Sequence, residues 1–113
     1  MFIMNIITMT QGNINEHIKS GVTLIDFYAP WCGPCKIQLP IVEELAEEIG
    51  NQANIAKVNI EEELDLATEY NVQSVPTLLL FKDGYVVERM VGLHRKDYLE
   101  RLIQHSLQTE ETC

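Results

Sequence analysis

The stretch Val22-Thr23-Leu24-Ile25-Asp26-Phe27-Tyr28-Ala29-Pro30-Trp31-Cys32-Gly33-Pro34-Cys35-Lys36 decides how the rest of the chain is read. Val22 to Tyr28 is a nearly continuous apolar run, the pattern of a central strand covered on both faces. One carboxylic acid, Asp26, interrupts it. Pro34 to Ile49 then reads as a long helix. Ile37, Ile41, Val42, Leu45, Ala46 and Ile49 form its apolar stripe, and Gly50 is the stop. Pro40 lies inside that pattern, where a missing backbone donor predicts a kink. Cys32 and Cys35 therefore stand where a buried strand hands over to a helix.

That position matters chemically. Backbone N–H groups at a helix start are unpaired and carry partial positive charge. Their field favours a thiolate over a thiol, and the thiolate is the nucleophile. Cys32 is expected at the exposed end, just before the helix, with Cys35 one turn in and facing the core. Their spacing lets the two sulfurs meet in a small ring. Cys32 can attack a disulfide in another protein, and Cys35 can resolve the mixed disulfide. A C-x-x-C pair also serves as half of a zinc site, but such a site needs about four ligands. The remaining candidates, His17, His94, His105 and Cys113, make no second pair at ligand spacing.

Outward from this centre, strand-like and helix-like segments alternate. Phe2 to Thr8 reads as a first strand. Asn13 to Ser20 reads as a short helix, with Asn13 and Glu16 at capping-box spacing and Gly21 as its stop. Ile55 to Ile60 is a further strand, and Glu62 to Tyr70 an acidic-capped helix. Thr77 to Phe81 and Tyr85 to Val91 are strands joined by Lys82-Asp83-Gly84, which contains a strong hairpin dipeptide. Asp97 to Gln108 reads as the last helix, with Asp97 and Glu100 at capping-box spacing. The order predicts an α/β fold: a central mixed sheet of about five strands flanked on both faces by four helices. The early strands, joined by helices, are expected to be parallel and the final pair antiparallel.

The 113 residues suit a single domain over 1–113, with residues 108–113 expected as a flexible polar tail ending in Cys113. Acidic residues outnumber basic ones 17 to 8, giving a net charge of −9. That charge repels phosphate backbones and anionic lipid heads, so neither nucleic acid nor a membrane is an expected partner. Met1 to Met9 is apolar but has no early Lys or Arg and no small-residue cleavage site, so it does not read as a signal peptide. The odd count of 3 cysteines also argues against a structural disulfide framework. A cytoplasmic monomer is expected.

The stretch Phe27-Tyr28-Ala29-Pro30-Trp31-Cys32-Gly33-Pro34-Cys35-Lys36, followed by Pro40, resembles the active-site segment of the thioredoxin family. Asp26, Lys57, Val75-Pro76-Thr77, Leu78 to Gly84 and Val91-Gly92 match in order and spacing, so the resemblance covers nearly the whole chain. Tyr28 stands where many members have Trp, Asn59 where an acid is common, and Arg95 where a capping Ser or Thr is common. The resemblance implies the thioredoxin fold and a disulfide reductase that cycles between dithiol and disulfide. It implies no bound cofactor beyond the redox-active disulfide, with reducing power coming from NADPH through a flavin-dependent thioredoxin reductase. It also implies disulfide-containing target proteins, such as ribonucleotide reductase and peroxide-removing enzymes. A rigid binding module with incidental cysteines is the competing reading, but such a module needs neither W-C-G-P-C nor Asp26 and Pro76.

Supporting residues follow. Asp26 shares a strand face with Leu24 and Tyr28, and a carboxylate buried there has its pKa raised. A partly solvated structural Asp is the plainer alternative. The resemblance implies that Asp26 moves a proton to or from Cys35, with Lys57 on the next strand as its charge partner; an ordinary surface lysine is the alternative there. The sequence alone makes the Val75–Pro76 bond trans, since few X-Pro bonds are cis. The resemblance makes it cis, beside the cysteines, where the Val75 backbone can bond an extended substrate. Trp31, Gly33, Ile60, Val75, Gly92 and Leu93 are expected to form a shallow apolar patch around Cys32, and Pro34 and Pro76 are expected to bind substrate with them.

Overall fold

A strand covered on both faces has no side for water, so nearly all of its residues are apolar. β2 (Val22–Tyr28) fits that pattern, with every residue but the last buried. The computed structural model of the chain describes residues 6–109 and places β2 at the centre of a five-stranded sheet. The other strands are β1 (Ile6–Thr8), β3 (Asn54–Asn59), β4 (Thr77–Lys82) and β5 (Tyr85–Val91), in the spatial order β1-β3-β2-β4-β5. The helices are α1 (Ile14–Ile18), α2 (Gly33–Ile49), α3 (Leu64–Glu69) and α4 (Lys96–Gln108).

Alternation along the strands divides the core in two. Leu24, Ile55, Leu78 and Leu80 point to one face, where Val42, Leu45 and Ile49 of α2 and Leu99 and Ile103 of α4 cover them. Ile25, Phe27, Ala56, Val58, Leu79 and Phe81 point to the other, under Ile14 and Ile18 of α1 and Leu66 of α3. Each such large side chain taken fully from water contributes roughly 1.5–3 kcal/mol before the entropy of ordering it.

As expected, β1, β3 and β2 run parallel and β4 and β5 antiparallel. The orientation of β4 positions the site. Although a helix joins β3 to β4, β4 lies antiparallel to β2, with Thr77 opposite Phe27. The start of β4 and the end of β5 therefore arrive at the edge where β2 and β3 finish. Four connections converge there: Ala29 to Cys32, Ile60, Val75-Pro76, and Gly92-Leu93.

Local details differ from expectation in physical ways. Ile37 is 57% exposed, so the stripe of α2 is narrower than its sequence suggests. Neither capping box forms. The Asn13 carboxamide turns back to bond Thr10 N–H and Thr8 C=O, and the cap of α4 is Arg95, with Asp97 accepting from Tyr98 N–H instead. Glu63 is the N-cap residue of α3, but its carboxylate accepts Gln11 N–H instead of a helix-start N–H, and α3 is shorter than expected. At the hairpin, Asp83 and Gly84 take φ of 50° and 91°, the left-handed pair a two-residue turn requires. Gln108 belongs to α4 and Thr109 caps it. The rest of the expected tail, 110–113 with Cys113, and the beginning of the expected first strand lie outside the described residues.

Candidate active site

The helix start is the source of the site's chemistry. Cys32 is the N-cap of α2 in extended conformation, and Pro34 occupies the first turn, where no backbone donor is needed. The Cys35 N–H points back and donates to Cys32 Sγ at 3.2 Å. Cys32 and Cys35 are joined as a disulfide, with Cα atoms 5.3 Å apart. The expected contrast in exposure is nearly absent, since Cys32 is 4% and Cys35 2% exposed. What separates the two sulfurs is the helix-start donor on Cys32. Cys32 Sγ also lies 3.6 Å from the Val75 carbonyl oxygen, within reach of a thiol proton once the pair is reduced.

Around the sulfurs the converging connections are laced together. Ile60 N–H donates to the Tyr28 carbonyl at 2.9 Å, and Gly92 N–H to the Pro76 carbonyl at 2.8 Å. Tyr28, Ile60 and Val75 pack on Ala29 and the two cysteines. The Val75–Pro76 bond is cis, as the resemblance implied. Trp31 is 66% and Leu93 48% exposed, and Gly33 and Pro34 are exposed on the first turn of α2. Gly92 takes φ of 94°, a conformation that favours glycine. The Trp31 indole N–H donates to the Glu61 carboxylate.

Asp26 has no exposure, and among the described residues neither of its carboxylate oxygens finds a hydrogen-bond partner. It lies on the β2 face turned to α2, between Leu24 and Tyr28. Burial alone holds its carboxyl up at about 7 against an ordinary 3.8. Its charge also reaches the Tyr28 phenol, which burial, Glu62 and Asp26 together push above its ordinary value. Lys57 stands beside Asp26 in register and is half-buried, but its ammonium does not bond the carboxylate. The expected ion pair is thus not formed.

Two contributors escaped sequence reasoning. Glu61, the partner of Trp31, reads as one more acid in an acidic run. Gln38 reads as a polar interruption of α2, yet it has no exposure and bonds the His94 backbone. Three residues after Cys35 on a buried helix face, a carboxamide is itself a signal, since it must find partners inside. Among the described residues no group of three or more His, Cys, Asp or Glu is gathered to hold a metal. Among the described residues no helix is long and apolar enough to cross a membrane.

Comparison with known proteins agrees with this geometry. A family model described as Thioredoxin matches residues 5–105. The thioredoxin of Staphylococcus saprophyticus is 43% identical over 104 residues, covering 92% of this chain and 100% of that one. The thioredoxin of Bacillus subtilis is 43% identical over the same span, with the same coverage. Among solved structures, a point-mutant thioredoxin from Halobacterium salinarum superposes with a TM-score of 0.84 at 40% identity, covering 93% of each chain.

Proposed function

The chain belongs to the thioredoxin family, a family of thiol–disulfide oxidoreductases, and from that premise we propose how its residues divide the work of reducing a target disulfide. The observation that carries the reading is the Cys35 N–H on Cys32 Sγ. In the dithiol form that donor stabilises negative charge on Cys32, which makes Cys32 the attacking thiolate. Attack breaks the target's S–S bond and forms a mixed disulfide, and the first target sulfur leaves and takes up a proton. Asp26 as carboxylate accepts the Cys35 proton. The Cys35 sulfur then displaces the second target sulfur from Cys32, and that sulfur leaves as a thiolate and takes up a proton. Two electrons pass to the target, and Cys32 and Cys35 are left as the disulfide.

Support for Asp26 as the base comes from its burial and its carboxyl near 7, which leaves it able to take or give a proton around neutrality. Lys57 stands beside it in register and leaves both carboxylate oxygens free to take a proton. Trp31, Gly33, Pro34, Ile60, Val75, Pro76, Gly92 and Leu93 form the docking surface. An extended target segment pairs with the Val75 backbone, and Gly92 gives it room. The disulfide is recharged by a thioredoxin reductase drawing on NADPH. Disulfide-bearing proteins are the targets, the compartment is the cytoplasm, and residues 1–113 act as one monomeric domain.

Reduction of insulin by dithiothreitol tests the assignment. The wild-type chain is expected to accelerate it and Cys32→Ser to give no acceleration. Acceleration by Cys32→Ser would remove Cys32 from the mechanism.

A further inference from the structure

Gln38 shares the buried face of α2 with Cys35, and its carboxamide is paired at both ends with one residue distant in sequence. Its Oε1 accepts the His94 N–H at 2.7 Å, and its Nε2 donates to the His94 carbonyl at 3.0 Å. Neighbouring residues in an antiparallel ladder exchange two bonds in the same way. His94 lies in the link between β5 and α4 and has no ladder of its own, so Gln38 supplies the missing partner.

The His94 ring carries the connection further. Its Nδ1 lies 2.8 Å from the Gly92 carbonyl oxygen. A carbonyl only accepts, so Nδ1 holds the proton in this contact. The ring stacks on Tyr98 of α4, with centroids 5.4 Å apart and planes inclined by 30°. Gly92 N–H in turn donates to the Pro76 carbonyl at 2.8 Å. A continuous set of bonds therefore runs from α2 beside Cys35, through His94 and Gly92, to the segment Val75-Pro76.

We propose that Gln38 and His94 are positioning residues that fix the spacing of the three segments around Cys32, namely the first turns of α2, Gly92-Leu93 and Val75-Pro76, and so set the affinity for an extended protein segment bearing a disulfide. The proposal rests on the docking surface argued above. Neither side chain is bonded to a sulfur, so the effect falls on holding the target. A small disulfide offers the sulfurs no extended backbone to hold and is insensitive to the spacing.

Steady-state reduction of insulin and of a small aromatic disulfide tests this in full-length variants whose circular dichroism and cooperative unfolding match wild type. Gln38→Met keeps the side-chain length and loses both bonds. It is expected to raise KM for insulin about three- to tenfold, with kcat and the small-disulfide rate within about twofold of wild type. His94→Ala leaves the backbone groups that Gln38 bonds and removes only the ring, so it tests the clamp even where Gln38→Met does not fold. It is expected to raise KM in the same direction. Leu93→Ser reports on the docking surface itself. A raised KM in Leu93→Ser beside an unchanged KM in folded Gln38→Met or in His94→Ala overturns the clamp and leaves the docking surface standing. An unchanged KM in all three overturns the docking surface and the clamp with it. A fall in kcat equal for both substrates also overturns the proposal.

Discussion

The backbone amide of Cys35 donates to the sulfur of Cys32 at 3.2 Å, while among the described residues Cys35 Sγ receives no such bond. Two cysteines almost equally buried are thereby made chemically unequal. The first turn of a helix concentrates unpaired N–H groups, and here one of them points at the Cys32 sulfur. In the reduced protein at neutral pH, iodoacetamide is therefore expected to alkylate Cys32 at least about tenfold faster than Cys35. Peptide mapping after a short exposure reads the ratio. Equal labelling would show that the helix start does not favour a thiolate on Cys32.

Asp26→Asn removes the charge and nearly keeps the shape. The folded-state pKa of Asp26 is raised, to about 7, above its ordinary 3.8. Wild-type stability is therefore full below the unfolded value. It falls as pH rises between the two values and levels off above the folded one. At about 1.4 kcal/mol per pH unit the loss is roughly 4 kcal/mol at pH 8. The mutant escapes it and is expected to be more stable than wild type at pH 8, with a smaller advantage at pH 5. Denaturant unfolding at both values measures the difference. A mutant less stable than wild type at pH 8 would mean that the carboxylate is a bonded structural acceptor.

On the proposed mechanism Cys35 then loses its proton acceptor, so the same substitution is expected to slow resolution of the mixed disulfide by roughly 10²-fold. Single-turnover reduction at pH 7 separates attack from resolution. A normal resolution rate would remove Asp26 from the mechanism while leaving the stability prediction in place.

Much of this was legible in the sequence because it depends on pattern. The apolar run of β2, the helical spacing of α2, the Asp83-Gly84 turn and the C-x-x-C at a strand–helix junction are local signals, and they specify the elements and the reacting atoms. Asp26 was legible as a charge in a run with no place for one. What was not legible depends on tertiary geometry. Capping boxes at Asn13 and Asp97 have the right spacing, but their side chains found other backbone partners. Lys57 pairs with Asp26 in register without bonding it. Gln38 meets His94 across a sequence separation of 56, which no local window reveals.

Lys82 offers a contrast, a charged residue whose work is structural. Its ammonium donates to the carbonyls of Ser106 and Thr109 at the end of α4, satisfying acceptors the helix leaves open. Lys82→Met is expected to cost about 1–2 kcal/mol of unfolding free energy. Insulin reduction is expected to stay unchanged, because the residue lies at the far end of β4 from Val75-Pro76. Thermal unfolding and turnover on one preparation check both halves. Lost turnover with intact stability would place Lys82 in the function.

The division of labour between the two cysteines is tested most directly by trapping. Cys35→Ser protein incubated with disulfide-bearing proteins, quenched with acid and mapped by mass spectrometry, is expected to accumulate mixed disulfides bonded through Cys32. Cys32→Ser protein treated identically is expected to accumulate none through Cys35. Mixed disulfides recovered through Cys35 of Cys32→Ser, with none through Cys32 of Cys35→Ser, would contradict the assignment of Cys32 as the attacking sulfur.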